Sequence, residues 1–248
     1  MGNVFNGSGM THPLKILFKY PSRGRRERFF QSLDSLYNNI SDPENFRVAI
    51  TIDDDDPVMS DPEVRLQIES SYPNHILIGG LSTSKVNAIN RDLPDYGDII
   101  VVVSDDIVFT YYGFDHVIRS CFQDGLDWHV HIPDQDEKDK LPVLYIAGRT
   151  FYKRFGEIYP SCYKSLFPDT EMMEVAKELN LYKYFNYPGM FLHLLPAYGH
   201  LPADEMWNEQ QRIGWTEDQT TYLQRKASRL NKPDVMNDWF DAFKHDSL

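Results

Sequence analysis

Short apolar runs alternate with amphipathic segments along the first half of the chain. Residues 25–39 carry apolar side chains at spacings of three and four, which predicts a helix that ends before Pro43. Strands are predicted at residues 14–18, 46–52 and 75–78 and from Ile99 onward. Strands that alternate with helical segments are typical of a wound, mostly parallel sheet with flanking helices, so we predict an α/β fold.

The run at residues 99–103 is the most informative of these strands. It consists of five β-branched apolar residues, and after Ser104 it meets two adjacent carboxylates, Asp105 and Asp106. A run that is apolar on both faces predicts a buried, parallel strand, and ligands of open α/β sheets bind beyond the carboxyl ends of such strands. Two acids at that position need a cationic partner. Mg²⁺ or Mn²⁺ bridging to a substrate phosphate would suit their oxygen atoms.

The second half of the chain has a less regular pattern. Helices are predicted at residues 112–122 and 150–155 and from Asp169, and strands at 128–132, 143–147 and 191–195. A helical, acidic tail begins at Asp204. We interpret its aromatic residues as core or interface residues, with stacking on a sugar as the alternative; they are Trp207, Trp215, Trp239 and Phe240.

The charge balance is acidic, since 37 Asp and Glu against 25 Lys and Arg give a formal net charge of −12. This argues against a broad nucleic-acid-binding surface, although the basic run at residues 23–28 leaves room for a local contact with phosphate. Cys121 and Cys162 lack the spacing of a metal site or a disulfide framework, so both are predicted to be reduced and structural. With no apolar stretch near the ~20 residues of a membrane span and no visible signal peptide, we expect a cytoplasmic protein.

Three acidic groups follow predicted strands or begin a predicted helix. They are residues 53–56, the pair Asp105 and Asp106, and the pair Asp169 and Glu171. One acidic turn by itself is typical of a solvated loop. A wound sheet gathers the carboxyl ends of its strands at one edge, so three such groups together indicate a shared site.

Several motifs make the chain resemble the inverting glycosyltransferases of the GT-A fold, close to the large family 2 group. The resemblance covers about residues 14–200 and rests on the order and spacing of motifs that are each weak alone. The motifs are Pro21-Ser22-Arg23 after the first strand, an acid after the second strand, Ser84-Lys85-Val86-Asn87-Ala88-Ile89-Asn90, Ser104-Asp105-Asp106, Gly148-Arg149 through Phe155-Gly156-Glu157, and Phe167-Pro168-Asp169-Thr170-Glu171. Two of them depart from the family pattern, because Ser104 replaces the first acid of Asp-x-Asp and Pro168 stands where an acid is usual.

The resemblance implies a nucleotide-diphosphate sugar as donor, with UDP-sugars favoured, and Mn²⁺ or Mg²⁺ as cofactor. It implies Asp169 as the general base and a metal held by Asp106 and His200, with His193 as the alternative histidine. It implies donor contacts from a further set of residues: Pro21, Ser22, Arg23, Asp53, Asp55, Lys85 and Asp105. The acceptor stays open between a glycan, a small molecule and, less favoured, nucleic acid.

A single catalytic domain is expected over residues 13–248, after a flexible segment at residues 1–12. By the same resemblance, its nucleotide-binding part would span about residues 13–110 and its acceptor part about 111–203. The helical tail would occupy residues 204–248.

Three other classes of protein remain open at this point. Asp53-Asp54-Asp55 resembles the paired aspartates of a haloacid dehalogenase-type phosphatase, although that nucleophile normally follows the first strand and Pro57 replaces the usual Thr or Val. A nucleotidyltransferase would need a Gly-rich loop, which is reduced here to Gly24. A nucleotide- or sugar-binding module without turnover is the non-enzymatic alternative. An EF-hand at Asp53 is excluded because position six of its loop would be Val58 instead of Gly.

Overall fold

The computed structural model describes residues 12–230, which form a mixed sheet flanked by helices. The strands are β1 (Ile16–Ser22), β2 (Phe46–Ile52), β3 (His75–Ile78), β4 (Ile99–Val102), β5 (Ile107–Phe109), β6 (His129–His131), β7 (Ile146–Gly148), β8 (Tyr182–Tyr184) and β9 (Phe191–His193). The helices are α1 (Arg26–Asn39), α2 (Pro62–Ser71), α3 (Lys85–Asn90), α4 (Phe114–Ser120), α5 (Arg149–Phe155), α6 (Pro168–Glu178), α7 (Glu205–Ile213) and α8 (Gln219–Leu230). Residues 1–11 and 231–248 lie outside the described residues; they include most of the segment expected to be flexible, the end of the predicted helical tail, and Trp239 and Phe240.

The main sheet has seven strands in the order β3-β2-β1-β4-β7-β6-β8. Strands β3, β2, β1 and β4 are parallel, as the alternation of strands and helices predicted. Strand β7 runs antiparallel to both β4 and β6, and β5 pairs with β9 in a separate two-stranded sheet. The carboxyl ends of β1, β2 and β4 therefore lie side by side, and the chain leaves all three toward the same edge.

Apolar residues form one layer on each face of the sheet. One layer joins alternate residues of the central strands, such as Phe18 and Val101, to the apolar face of α1. The other joins Ile100 and Val102 to α3, α5 and α6. Strand β4 is apolar on both faces because it is covered on both, as its composition predicted.

Short strands are where the sequence and the structure differ most. Strands β5 and β8 have three residues each and were not predicted. The helix predicted at residues 112–122 is shorter, since α4 begins after Gly113, which has a positive φ of 84°. Both cysteines are free, and no helix within residues 12–230 combines the length and apolarity of a membrane span.

A lysine lies inside the sheet, in β1. The side chain of Lys19 is fully buried, and its Nζ donates to Thr51 Oγ1 of β2 at 2.6 Å and to the carbonyl of Arg91, just after α3, at 2.7 Å. Burial, reinforced by the charge of Arg91, lowers the pKa of Lys19 to about 8. Lys19 thus connects β1 and β2 to the end of α3, and its buried charge is destabilising.

The pH dependence of stability should reveal this charge when Lys19→Met is compared with the original chain. Folding lowers the pKa from 10.5 to about 8, so the full penalty is present below about pH 8 and disappears as pH rises toward 10.5. The free energy of unfolding of the original chain should therefore rise relative to Lys19→Met, by up to about 3 kcal/mol across this window. Denaturant unfolding at a series of pH values measures the difference. Lys15→Met is the control, because it removes an exposed lysine just before the same strand. If the free energy of unfolding of the original chain rose equally relative to Lys15→Met, the rise would not come from Lys19 and this account would be wrong.

Candidate active site

One cavity of about 400 Å³ lies at the edge where the parallel strands end. Residues from the ends of β1 and β2, the start of α3, the turn after β4 and the start of α6 line it. The structure brings together eight of the residues singled out from the sequence: Pro21, Ser22, Arg23, Asp53, Lys85, Asp105, Asp106 and Asp169. Asp55 and His200 are not among the lining residues within the described part of the chain.

The turn after β4 carries the two adjacent carboxylates. Asp105 accepts a hydrogen bond from Arg25 at 3.1 Å, and Asp106 accepts one from the hydroxyl of Ser104. Burial, together with the charge of Asp106, raises the pKa of Asp105 to about 6. Burial also opposes the charge of Asp106, but the neighbouring His193 holds its pKa well below the usual range. The pair therefore presents one firmly ionised carboxylate and one that takes up a proton more readily.

His193 lies between two acids that come from different parts of the chain. Its Nε2 is 3.6 Å from Asp106 Oδ1, and its Nδ1 is 3.6 Å from Asp134 Oδ2. Asp134 is fixed in turn, because its other oxygen accepts the backbone N–H groups of residues 136, 137 and 138. Burial opposes protonation of His193, but the two acids outweigh it and raise its pKa to about 9.

The two histidines contact different acids. His193, the alternative histidine, lies next to Asp106 because β9 pairs with β5, directly after the acidic turn. His200, the histidine expected at the metal, has its Nε2 3.6 Å from Asp136. The pairing of β5 with β9 gave no signal in the sequence, so the choice between the two histidines stayed open there.

Both oxygens of Asp53 are engaged by side chains of the protein. Arg23 donates to Oδ2 at 2.9 Å, while Ser82 and Arg91 donate to Oδ1 at 2.6 and 3.2 Å. Arg23 also donates to Asp55, at 2.7 Å, outside the cavity. Of the two arginines, Arg23 is the exposed one, with 45% of its side chain accessible against 13% for Arg91. A ligand could therefore displace Arg23 from Asp53 more easily than Arg91.

Asp169 lies at the first turn of α6, where Phe167 precedes it with a positive φ of 70° and Pro168 begins the helix. Its Oδ1 accepts the backbone N–H of Thr170 at 2.7 Å. Burial raises the pKa of Asp169, although the charge of Lys85 counteracts part of this effect. The charge of Lys85 also lowers the pKa values of Asp105 and Asp106. Lys85 therefore acts both on the acids of the turn after β4 and on the acid of α6.

Helix α7 contributes to the cavity through residues that were not singled out from the sequence. Arg25 connects the C-terminal segment to the acidic turn after β4. It donates to both oxygens of Asp204, at 2.9 and 2.8 Å, and also to Asp105. Asp204 caps α7, and α7 places Met206 and Gln210 in the cavity lining. The basic run at residues 23–28 thus contacts the tail as well as the acidic turn.

The other end of the C-terminal segment is fastened to α6 by charged groups. Glu171, fully buried, accepts hydrogen bonds from Arg225 of α8 at 3.0 Å and from Arg229 at 2.5 Å, and also bonds Tyr163. Arg229 donates to Glu174 as well, at 2.7 Å. These contacts hold α8 against the helix that carries Asp169. The first-turn acid Glu171, noted in the sequence beside Asp169, therefore serves this connection.

The donor atoms of the acidic turn suit a hard divalent cation. Within residues 12–230 no group of three or more His, Cys, Asp and Glu side chains is arranged as a complete metal site. Mg²⁺ and Mn²⁺ do not need one, because they are commonly held by one or two carboxylates together with substrate phosphates. Asp105 and Asp106, buried to about nine-tenths and adjacent, supply that partial set.

Comparison with known proteins gives no match to any protein-family model or curated protein sequence. Solved structures do match. The mannosyltransferase PcManGT from Pyrobaculum calidifontis, in complex with GDP-Man and Mn²⁺, aligns with a TM-score of 0.60 and 14% identity over 76% of this chain and 59% of that one. TarS residues 1–349 from S. aureus align with a TM-score of 0.56 and 14% identity over 90% of this chain and 75% of that one.

A third similar structure is glucosyl-3-phosphoglycerate synthase from Mycobacterium tuberculosis, in complex with Mg²⁺ and UDP. It aligns with a TM-score of 0.55 and 13% identity over 81% of this chain and 76% of that one. At these identities the likeness establishes the fold. The seven-stranded sheet, its flanking helices and the C-terminal helices show that this chain has the GT-A fold of these glycosyltransferases, as its sequence predicted.

Proposed function

We propose that this protein is a metal-dependent, inverting glycosyltransferase that moves a sugar from a nucleotide-diphosphate donor, with a UDP-sugar favoured, to an acceptor hydroxyl. The observation that carries the proposal is the convergence of Asp53, Asp106 and Asp169 on one cavity from three separate elements. Transfer of this kind needs positive charge at the departing diphosphate and a base at the attacking hydroxyl. The complexes of the similar structures with GDP-Man and with UDP support the same class of donor.

The donor would bind across the carboxyl ends of the strands of residues 13–110. Pro21, Ser22 and Arg23 at the end of β1 line the cavity next to Asp53, and we assign the nucleoside to this group. Lys85, whose charge reaches the acidic turn, would contact the diphosphate. Asp55 would act through Arg23, since it bonds that guanidinium from outside the cavity.

Asp105 and Asp106 would hold Mn²⁺ or Mg²⁺, which neutralises the charge of the departing diphosphate. Asp106 is suited to this because its pKa lies below the usual range, so it stays ionised at neutral pH. Arg25 holds Asp105 in place from the side of α7. We assign His193, rather than His200, to the orientation of Asp106, because its Nε2 lies 3.6 Å from that carboxylate.

Asp169 would take the proton from the acceptor hydroxyl as that hydroxyl attacks the anomeric carbon. Burial raises the pKa of Asp169, which makes it a better base than an exposed aspartate. Direct attack on the donor without a covalent intermediate inverts the configuration of that carbon. The acceptor would enter from the part formed by residues 111–203, in which Tyr159 and Ser165 line the cavity.

The phosphatase alternative fits the geometry less well. Its nucleophile would be Asp53, yet both oxygens of Asp53 are bonded by Arg23, Ser82 and Arg91. A carboxylate held by two guanidinium groups is a poor nucleophile, because its negative charge is already neutralised. A nucleotidyltransferase and a binding module differ from the proposed function in the fate of the bound nucleotide, so the experiments below separate them.

Binding of nucleotide diphosphates should raise the melting temperature. At about 100-fold excess over its Kd, a ligand that binds only the folded state should shift the melting temperature by roughly 5 °C or more. A panel of UDP, GDP, ADP, CDP and TDP, each with and without Mn²⁺, measures this by thermal shift. Asp106→Asn should lose the Mn²⁺-dependent part, whereas exposed Asp92→Asn should keep it. No shift with any nucleotide in either condition would overturn the proposal.

Asp169→Asn tests the base. The variant keeps the size of the side chain but cannot accept the proton, so the rate of sugar transfer should fall by about 100-fold or more. Binding of the donor, measured by calorimetry, should change little. Glu178→Gln, at the exposed end of the same helix, serves as the matched control. A normal transfer rate in Asp169→Asn would show that another group takes the proton.

A further inference from the structure

The loop before α6 presents a buried hydroxyl at the cavity. Ser165 lines the cavity and is 7% exposed, and its Oγ has no hydrogen-bond partner among the described residues. A buried hydroxyl without a partner is destabilising, so such a group in a cavity indicates a contact that a ligand completes. Neither the motifs of the sequence nor the role proposed for Asp169 uses this side chain.

Asp218 holds the backbone of this loop in place from the C-terminal segment. It is 1% exposed and lies in a π-helical turn, Gly214–Asp218, between α7 and α8. Its Oδ1 accepts the N–H of Lys164 at 2.9 Å, and its Oδ2 accepts those of Ser165 and Leu166 at 2.7 and 2.9 Å. Three consecutive amides on one buried carboxylate fix the conformation of the loop more tightly than exposed contacts would.

The turn also packs closely against the same loop. A Cβ atom at Gly214 would overlap the side chain of Leu166, so only glycine fits at this contact. The carbonyl of Lys164, in turn, accepts the N–H of Val86 at 3.2 Å, directly after Lys85. The loop therefore lies between the helix that starts at Lys85 and the helix that carries Asp169.

We infer that Ser165 forms a hydroxyl-binding subsite, in which its Oγ bonds a sugar hydroxyl near the reacting carbon, and that Asp218 is the positioning residue for this subsite. The inference rests on the proposed function and goes beyond it by assigning recognition of the sugar itself. A serine hydroxyl both donates and accepts, which matches a sugar hydroxyl. Asp169 lines the same cavity, and its carboxylate disfavours an anionic group as the partner.

Ser22 provides an internal comparison. Its Oγ is also buried and without a partner among the described residues, and it lines the cavity beside Arg23 at the end of β1. Removal of the Ser22 hydroxyl should affect the nucleotide, and removal of the Ser165 hydroxyl should affect only the sugar. The two variants therefore separate two subsites of one cavity.

The experiment compares Ser165→Ala and Ser22→Ala with the original chain, using UDP and the UDP-sugar that gives the largest thermal shift. Calorimetry measures the Kd of both ligands, and kinetics with a panel of free monosaccharides measures the acceptor KM. Ser165→Ala should leave the Kd of UDP unchanged. It should weaken the sugar contact by about 10-fold, the size of one hydrogen bond. Ser22→Ala should instead weaken UDP and the UDP-sugar equally.

The location of the 10-fold effect identifies the sugar that Ser165 contacts. A higher Kd for the UDP-sugar assigns the contact to the transferred sugar, whereas a higher KM for the monosaccharide at an unchanged Kd assigns it to the acceptor. Suppose that the original chain binds UDP and the UDP-sugar. If Ser165→Ala then changes neither the Kd of the UDP-sugar nor the KM of the monosaccharide, the subsite is refuted and the proposed function stands. If the original chain binds no nucleotide, both fall.

Asp218→Asn tests the positioning role. An amide in place of the carboxylate leaves at least one of the three loop N–H groups facing an NH₂ group, so the loop loosens. The sugar contact should weaken as in Ser165→Ala, with the Kd of UDP unchanged. Glu217→Gln is the matched control, because Glu217 bonds the Lys164 side chain of the same loop from the surface. A lower melting temperature for Asp218→Asn with an unchanged sugar contact would mean that Asp218 is only structural.

Discussion

The concentration of carboxylates at one edge of the sheet is the constraint on which the rest of this structure depends. Parallel strands that end side by side bring Asp53 and the pair Asp105 and Asp106 together, and α6 adds Asp169. The protein balances this charge with its own cations, most of them arginines from distant segments. Asp53 and Asp105 are thereby held in fixed positions at the edge of the cavity.

The main sheet could be predicted from the sequence because its central strands are apolar on both faces. The predicted bounds of β2 and β3 agree with the structure, and the run after Ile99 is the buried parallel strand that its composition indicated. The antiparallel part was harder to predict. Strands β5 and β8 each have three residues, and their order in the sheets depends on pairings across long stretches of sequence, which no local pattern records.

For the candidate site, the acids and their cavity could be predicted, but their partners could not. A carboxylate after an apolar strand is a local signal, and the acids noted in this way line one cavity. The partners come from elsewhere: His193 from β9, Asp134 from a loop and Asp204 from the start of α7. Ser165 and Asp218 were missed for the same reason, since the contact between them joins residues 53 positions apart.

Ion pairs at both ends of the C-terminal segment, residues 204–230, determine where the chain could be truncated. Arg25 draws Asp204 onto the acidic turn, and the buried Glu171 relies on α8 for its arginines. A shorter version that stopped at residue 203 would retain every strand, yet it would remove the two arginines that bond the buried Glu171 and two of the three hydrogen bonds from Arg25 to acids. Truncation at residue 203 should therefore lower the stability, and any segment put in place of residues 204–230 would have to supply partners for Arg25 and Glu171.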